Sequence, residues 1–294
     1  MLTSIISKRM HRWVLLLAVS ASLAGCSLVQ TTYNQLPRLV YFWLDRQVDL
    51  TAEQSDRVSA ALNNWLAWHR QTQLAQVADE LAAWQKQVRQ PLDADGVCAR
   101  FDRIQNWTFD WISRLNADLT RLGLDLSPAQ IANLKKSYAK SNATWREDWM
   151  EGSAQEQIKR RAKRGREWAE RLYGDLSNDQ LKWLTHSARQ SAFDPQQSFE
   201  WRKLRQGRML GTLGSWSEQA PSFEQAQAQM AATVQLWRQL PEPDMRASQE
   251  RMIRYNCQAI ADFHNQTSDA QRAYAAKVLQ GYEADVRALM AEKK

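Results

Sequence analysis

The stretch Leu50-Thr51-Ala52-Glu53-Gln54, continuing through Ser55-Asp56-Arg57-Val58-Ser59-Ala60-Ala61-Leu62-Asn63-Asn64-Trp65-Leu66-Ala67-Trp68, decides the fold class. Thr51 followed three residues later by Gln54 is a capping box. The Thr51 hydroxyl accepts from the Gln54 backbone N–H, and the Gln54 side chain returns to the Thr51 N–H. Behind that start, Val58, Ala61, Leu62, Trp65 and Trp68 recur at steps of mostly three and four, and Val77, Leu81, Trp84 and Val88 carry the pattern to Pro91. The spacing predicts one amphipathic helix over 51–90, about 60 Å long if unbroken.

The same start signal recurs along the chain. It stands at Leu126-Ser127-Pro128-Ala129-Gln130 and Leu176-Ser177-Asn178-Asp179-Gln180, more weakly at Ser222 with Gln225 and Ser268 with Gln271, and in acidic form at Ser153 with Glu156. The leucine before each strong cap is placed to staple onto the first turn, against Val58, Ile131 or Leu181. A second apolar run, Val97, Phe101, Ile104, Trp107, Trp111, Leu115, Leu119 and Leu122, predicts a helix closed by Gly123. Further helices are expected over 127–150, 153–173, 177–191, 195–213, 222–239, 244–266 and 268–292. Ten glycines and seven prolines sit mostly at joints, with Pro241 and Pro243 the clearest. No period-two apolar run is bounded by turns, so no sheet is expected. The reading is all-α: an elongated bundle of about nine or ten helices.

The N-terminus fixes an address. Lys8, Arg9 and Arg12 precede the apolar run Trp13 to Leu23, which is too short to span a bilayer, and Leu23-Ala24-Gly25-Cys26 then reads as a lipobox. The expected organisation is a signal peptide over 1–25, a lipidated Cys26 with a short tether over 26–35, and a helical periplasmic domain over 36–294. The alternative is an ordinary secretory signal with a chance cysteine. The polar tether, Ser27 to Asn34, reaches roughly 30 Å at most. Tyr41, Phe42 and Trp43 mark Leu36 to Val48 as a short helix packed on the body. By analogy with sorted lipoproteins, Ser27 in place of Asp favours the periplasmic face of the outer membrane.

Loss of residues 1–25 removes three basic and no acidic side chains and lowers the formal charge from +7 to +4. That mild bias is no nucleic-acid footprint. Cys98 and Cys257 then remain as a pair in an oxidising compartment and are expected to form a disulfide; two buried thiols are the other reading. His69, His186 and His264 are far apart in sequence, so no metal site and no cofactor is expected. No G-x-S-x-G elbow, Walker loop or H-E-x-x-H occurs.

Several features invite a functional reading beside a plainer one. Lys159, Arg160, Arg161, Lys163, Arg164, Arg166 and Arg171 form one basic segment, and Arg202, Lys203, Arg205 and Arg208 a second. Of these, Lys159, Arg160, Arg161, Arg164, Arg202 and Arg205 are the candidate contacts to anionic lipid or to clients; a solvated helix face is the alternative. Trp65/Trp68, Trp107/Trp111 and Trp145/Trp149 pair at helical spacing and are read as helix seams, whereas Trp201 and Trp216 are read as exposed contacts. Trp68 is expected in the core, with His69 and Arg70 meeting carboxylates or water. Gly207, Gly211 and Gly214 suggest a close helix crossing or a hinge.

The Leu-[Ser/Thr]-x-x-Gln spacing resembles the motif of the Spy and CpxP periplasmic chaperones, which cradle unfolded clients; helix capping explains the same residues. A wider resemblance rests on the lipobox, Tyr33-Asn34-Gln35-Leu36, the aromatic stretch to Asp49-Leu50-Thr51-Ala52-Glu53-Gln54, and Trp68-His69-Arg70. It is to an uncharacterised family of proteobacterial lipoproteins, domain of unknown function 6279. The resemblance implies an all-helical envelope lipoprotein and no catalytic residues. Here Leu74-Ala75-Gln76-Val77 replaces that family's Leu-Pro-x-Tyr. The functional expectation is a non-enzymatic, outer-membrane-anchored periplasmic factor that binds envelope proteins or unfolded clients. The alternatives are an enzyme acting on an envelope component and a structural spacer between membrane and cell wall. The oligomeric state is open.

Overall fold

The computed structural model describes residues 28–292, so the lipobox and Cys26 lie outside the described residues. The described chain forms thirteen helices and no strand. They are α1 Leu28–Asn34, α2 Leu36–Val48, α3 Ala52–Thr72, α4 Leu74–Gln87, α5 Ala94–Ser113, α6 Asn116–Leu124, α7 Pro128–Trp149, α8 Ala154–Tyr173, α9 Asn178–Gln190, α10 Pro195–Gln219, α11 Phe223–Gln235, α12 Pro243–Asn265 and α13 Asp269–Ala291. The fold is the all-α bundle the sequence implies, with more pieces.

The extra pieces arise where the two long runs divide and where the tether folds. The 51–90 run divides at Gln73, whose side-chain oxygen accepts from the Trp111 indole at 2.9 Å. The second run divides at Arg114 and Leu115 into α5 and α6. Residues 28–34, expected as part of a polar tether, instead form α1. A seven-residue helix does not persist alone in water, and partners on the body hold this one. Gln30 donates to Asp285 at 2.9 Å, the Tyr33 hydroxyl shares a hydrogen bond with His69 Nδ1 at 2.9 Å, and Asn34 donates to Glu292 at 3.1 Å.

All six capping boxes form in both directions, at Thr51, Ser127, Ser153, Ser177, Ser222 and Ser268. Four of them also join in pairs. Gln54 Nε2 donates to the Asp125 carbonyl at 3.0 Å, and Gln130 Nε2 donates to the Asp49 carbonyl at 2.9 Å and to Gln54 Oε1 at 2.6 Å. Gln180 and Gln271 repeat the arrangement: Gln271 donates to the Asp175 carbonyl at 2.8 Å, and Gln180 to the Gln266 carbonyl at 3.3 Å. In every case the acceptor lies two residues before the partner's cap. Each clasp thus ties two helix N-termini together, α3 to α7 and α9 to α13.

The cores follow the clasps. Val48, Leu134, Leu213, Trp216, Ala226 and Met230 form one apolar cluster, with Leu50, Leu126 and Ile131 packed on it. Val88, Ala169, Tyr173, Phe263, Ala275, Ala276 and Leu279 form another, with Leu176 packed on it. The leucine before each strong cap therefore enters a core. A third cluster, Leu74, Ala78, Val286 and Leu289, seals α4 against α13 and receives Tyr33.

Three sequence expectations need correction. Trp201 and Trp216 are buried, not exposed; Met209, Leu210, Leu213 and Trp216 share one inner face of α10. Gly207, Gly211 and Gly214 make no close crossing, because an added Cβ at any of them meets open space. The close approach is at Gly123, which does not cap a helix. A Cβ there would sit 2.7 Å from Trp216 Cζ3 and 2.8 Å from Leu213 Cδ2.

Candidate binding surface

Helix α5 begins at Asp93, whose side chain accepts from the Gly96 N–H at 2.7 Å. Its principal packing neighbour is α12. The Cys98–Cys257 disulfide joins the two, with Cα atoms 5.4 Å apart. Asn265 brackets the backbone of Leu92 through bonds of 2.9 and 2.8 Å, and Arg254 pairs with Asp95. On the inner side, Trp65 donates to the Trp111 carbonyl at 2.8 Å. Farther along, Arg238 donates to Asn106 at 2.7 Å, beside a shallow polar depression lined by Asp102, Gln105 and Gln239.

One neighbour cannot cover both faces of a helix this apolar. Phe101, Ile104 and Ile112 remain between 41% and 45% exposed. Together with Thr108 they follow a three-four-four spacing, so they form one row along α5. A row of large exposed apolar side chains is informative in a way that a single exposed leucine is not. In sequence, Phe101 and Ile104 fall on one apolar run with Trp107 and Trp111. The overlooked signal is that Val97, Phe101, Ile104, Trp107, Phe109, Trp111 and Ile112 take up more of the helix circumference than one partner buries.

The basic residues singled out from sequence are drawn largely into the fold. Arg160 donates to the Asp148 carbonyl at 3.1 Å, and Arg161 to the Ala188 carbonyl at 3.1 Å. The Arg164 guanidinium lies 3.8 Å over the Trp149 ring. Arg202 donates to Asn142 at 2.7 Å, and Arg205 to the Leu236 carbonyl at 3.0 Å. Lys159 is exposed. The two segments meet at one aromatic cluster, Trp145, Trp149, Phe193 and Phe199, with Arg161 and Arg164 from α8 and Lys203 from α10 against its rings. Their main visible work is to pin α7, α8 and α10 together.

The tryptophan pairs lie on seams, as their spacing implies. Arg70 pairs with Glu292 at 3.0 Å, but His69 is only 4% exposed and Trp68 half-buried. Trp65 stacks on the His69 ring at 4.9 Å and Trp111 meets it edge-on at 4.4 Å. Burial lowers the His69 pKa to about 4 and raises that of Tyr33 to about 12, the latter against the opposing charge of Arg70. A second pair repeats the motif. His264 Nε2 donates to the Gln90 carbonyl at 2.9 Å, which leaves Nδ1 of the neutral ring to accept from Tyr173, also at 2.9 Å. Burial pushes the His264 pKa down as well.

These rings make stability depend on pH. His69 takes up a proton near pH 6.5 in the unfolded chain and near pH 4 in the folded one. Between those values the unfolded state holds more protons. Its contribution is therefore complete above about pH 6.5, declines as the pH falls, and is lost by about pH 4, an effect on the order of 3 kcal/mol. The guanidinium unfolding midpoint should drop between pH 7 and pH 4.5, and His69→Phe should shrink that drop. An equal drop in the variant would assign the acid sensitivity to other groups.

Among the described residues, no group of three or more His, Cys, Asp or Glu is placed to hold a metal ion, and no helix is long and apolar enough to cross a membrane. Comparison with known families finds a match to a family of unknown function (DUF6279) over residues 46–242. No curated protein and no solved structure matches the chain. The family match begins inside α2 and ends just before α12, the helix that carries Cys257.

Proposed function

The chain belongs to the DUF6279 family, whose function is unknown, and from that premise we propose that it is a lipid-anchored envelope protein that binds other proteins and performs no catalysis. Cys26 would hold it at the periplasmic face of the outer membrane, and α5 would present the binding surface. The observation that carries this reading is the exposed row of Phe101, Ile104 and Ile112 on a helix clamped by a disulfide. A rigid helix with a solvent-facing apolar row offers extended apolar segments a contact surface without having to order itself first. Unfolded or partly folded exported proteins are the partners whose chemistry fits such a row. The Cys98–Cys257 bridge supports an oxidising compartment.

The test is suppression of aggregation of an unfolding client by the mature protein, compared with a variant carrying Phe101→Ser, Ile104→Ser and Ile112→Ser. The three side chains are 41–45% exposed, so the variant should keep its helicity with a somewhat lower unfolding midpoint, and protection is compared at a temperature where both proteins are folded. Protection is expected from the native protein at substoichiometric ratio and should fall several-fold in the variant. Equal protection by the two would remove α5 as the surface. No protection by either would reject client binding.

A further inference from the structure

Helices α1 and α2 form a nearly continuous rod. Gln35 between them is helical in backbone conformation, the Gln35 N–H bonds the Thr31 carbonyl at 3.1 Å, and the Leu39 N–H bonds the Gln35 carbonyl at 3.0 Å. One face of the rod is fully engaged with the body. Gln30, Tyr33 and Asn34 hydrogen-bond to Asp285, His69 and Glu292; Tyr41 donates to Ser55 at 3.2 Å, and Val48 is buried. The rod can therefore neither roll nor lift without breaking that face.

The opposite face is a single exposed stripe. Leu28, Thr31, Thr32, Gln35, Arg38, Leu39, Phe42, Trp43 and Arg46 follow one another at helical spacing, all exposed. Its apolar members are large and open: Leu28 is 82% exposed and Trp43 60%. Arg38 lies 5.4 Å over the Phe42 ring, and the two arginines are the charged side chains on the stripe. Asp45 is turned away, its carboxylate accepting from the Leu50 N–H at 3.0 Å.

We propose that this α1–α2 stripe lies flat in the headgroup region of the membrane that carries the anchor, so that the protein is held by a lipid and a helix face together. The proposal rests on the reading of Cys26 as the acylated residue. One residue, Ser27, separates Cys26 from Leu28, so their Cα atoms are at most about 8 Å apart. An acyl chain at Cys26 therefore brings Leu28 to the bilayer surface, and the stripe extends from there for about 27 Å at helical rise. Leucine, phenylalanine and tryptophan beside arginine are the composition of an interfacial helix face, with Trp at headgroup depth and Arg toward lipid phosphates. The membrane, and not a protein partner, fits both the position next to the anchor and the sign of the charge. A lipid anchor fixes the point of attachment but leaves the body free to pivot, so a second, protein-borne contact sets how the body lies on the membrane.

The test uses the lipidated protein in vesicles of phosphatidylethanolamine and phosphatidylglycerol. Cysteine is introduced singly as Leu39→Cys, Trp43→Cys or, on the exposed start of α9, Lys182→Cys, and labelled with an environment-sensitive fluorophore. Cys98 and Cys257 are bridged and do not take the label. Labels at 39 and 43 should shift to the blue on reconstitution and lose most of their quenching by aqueous iodide, while the label at 182 keeps both properties. Acylated protein whose three labels are quenched alike would overturn the proposal. So would protection that arises without vesicles and grows with protein concentration, which would assign the stripe to a second copy. Intact mass reports acylation separately. If Cys26 carries no lipid, the anchor reading fails by itself, and Cys26→Ser forms of the same three proteins, each labelled at its one introduced cysteine and added to vesicles, decide the stripe: a blue shift at 39 and 43 that needs phosphatidylglycerol sustains it, and no shift rejects it.

Discussion

The Cys98→Ser variant is expected to be about 5 kcal/mol less stable than the oxidised protein, because the bridge joins residues 159 apart in sequence and constrains the unfolded chain over that whole loop. Against the 5–15 kcal/mol that usually holds a domain together, a loss of about that size brings the protein close to unfolding. The other ties between α5 and α12 replace little of it. The Arg254–Asp95 pair is exposed on both sides, and such pairs contribute about 0–1 kcal/mol. The Asn265 bracket on Leu92 acts at the start of α5 only. The loss should thus appear first in α5, as faster amide exchange from Cys98 to Ser113, and then as a lower denaturant midpoint. Reductant should bring the native protein to the midpoint of Cys98→Ser and leave the variant unchanged. Equal midpoints for variant and oxidised protein would show that the reduced chain already holds these helices together.

The difference between what the chain displays and what only its fold reveals is one of range. The six capping boxes were legible because every bond in a box joins residues three apart, and Thr51, Ser127, Ser153, Ser177, Ser222 and Ser268 all start helices as read. The Cys98–Cys257 pair was legible because reading Cys26 as the lipidated residue leaves two cysteines and one pairing. What depends on distant partners was not. Trp216 is buried because Gly123 lets it approach, and nothing near Trp216 in sequence announces Gly123. The tether became α1 because Tyr33 reaches His69, which in turn lies between Trp65 and Trp111. Arg160, Arg161 and Arg164 read as a surface charge run, yet the carbonyls and rings they bind come from segments 9 to 32 residues away. The outward row of α5 was visible only as an excess of apolar residues. Which of them would face solvent depended on its having α12 as principal neighbour.

The same range argument makes one motif worth different amounts at different places. Gln54 and Gln130 are buried, and between them they satisfy four backbone groups: the N–H of Thr51 and of Ser127, and the carbonyls of Asp125 and Asp49. Asp49 is in the left-handed region at φ 61°, which aspartate tolerates better than most residues, and the Gln130 amide holds the carbonyl that this conformation presents. Replacing both glutamines by alanine strips a partner from each of those groups at about 1 kcal/mol apiece, so the double variant should lose about 4 kcal/mol. Because each amide also bonds the other, Gln54→Ala and Gln130→Ala should not be additive. The second substitution removes a side chain whose partner is already gone, and a coupling of about 1 kcal/mol is expected from the mutant cycle. Gln225 supplies the contrast. It closes an exposed box on Ser222, and among the described residues no second glutamine is bonded to it, so Gln225→Ala should cost about 1 kcal/mol, the ordinary worth of a cap. Denaturant unfolding of the four variants measures all of this. If Gln54→Ala cost no more than Gln225→Ala, the clasp would add nothing to the cap, and the repeated Leu-[Ser/Thr]-x-x-Gln motif would act only as a series of helix starts. If the cycle shows the coupling, the motif has a second function in this fold: it holds pairs of helix N-termini side by side, α3 with α7 and α9 with α13.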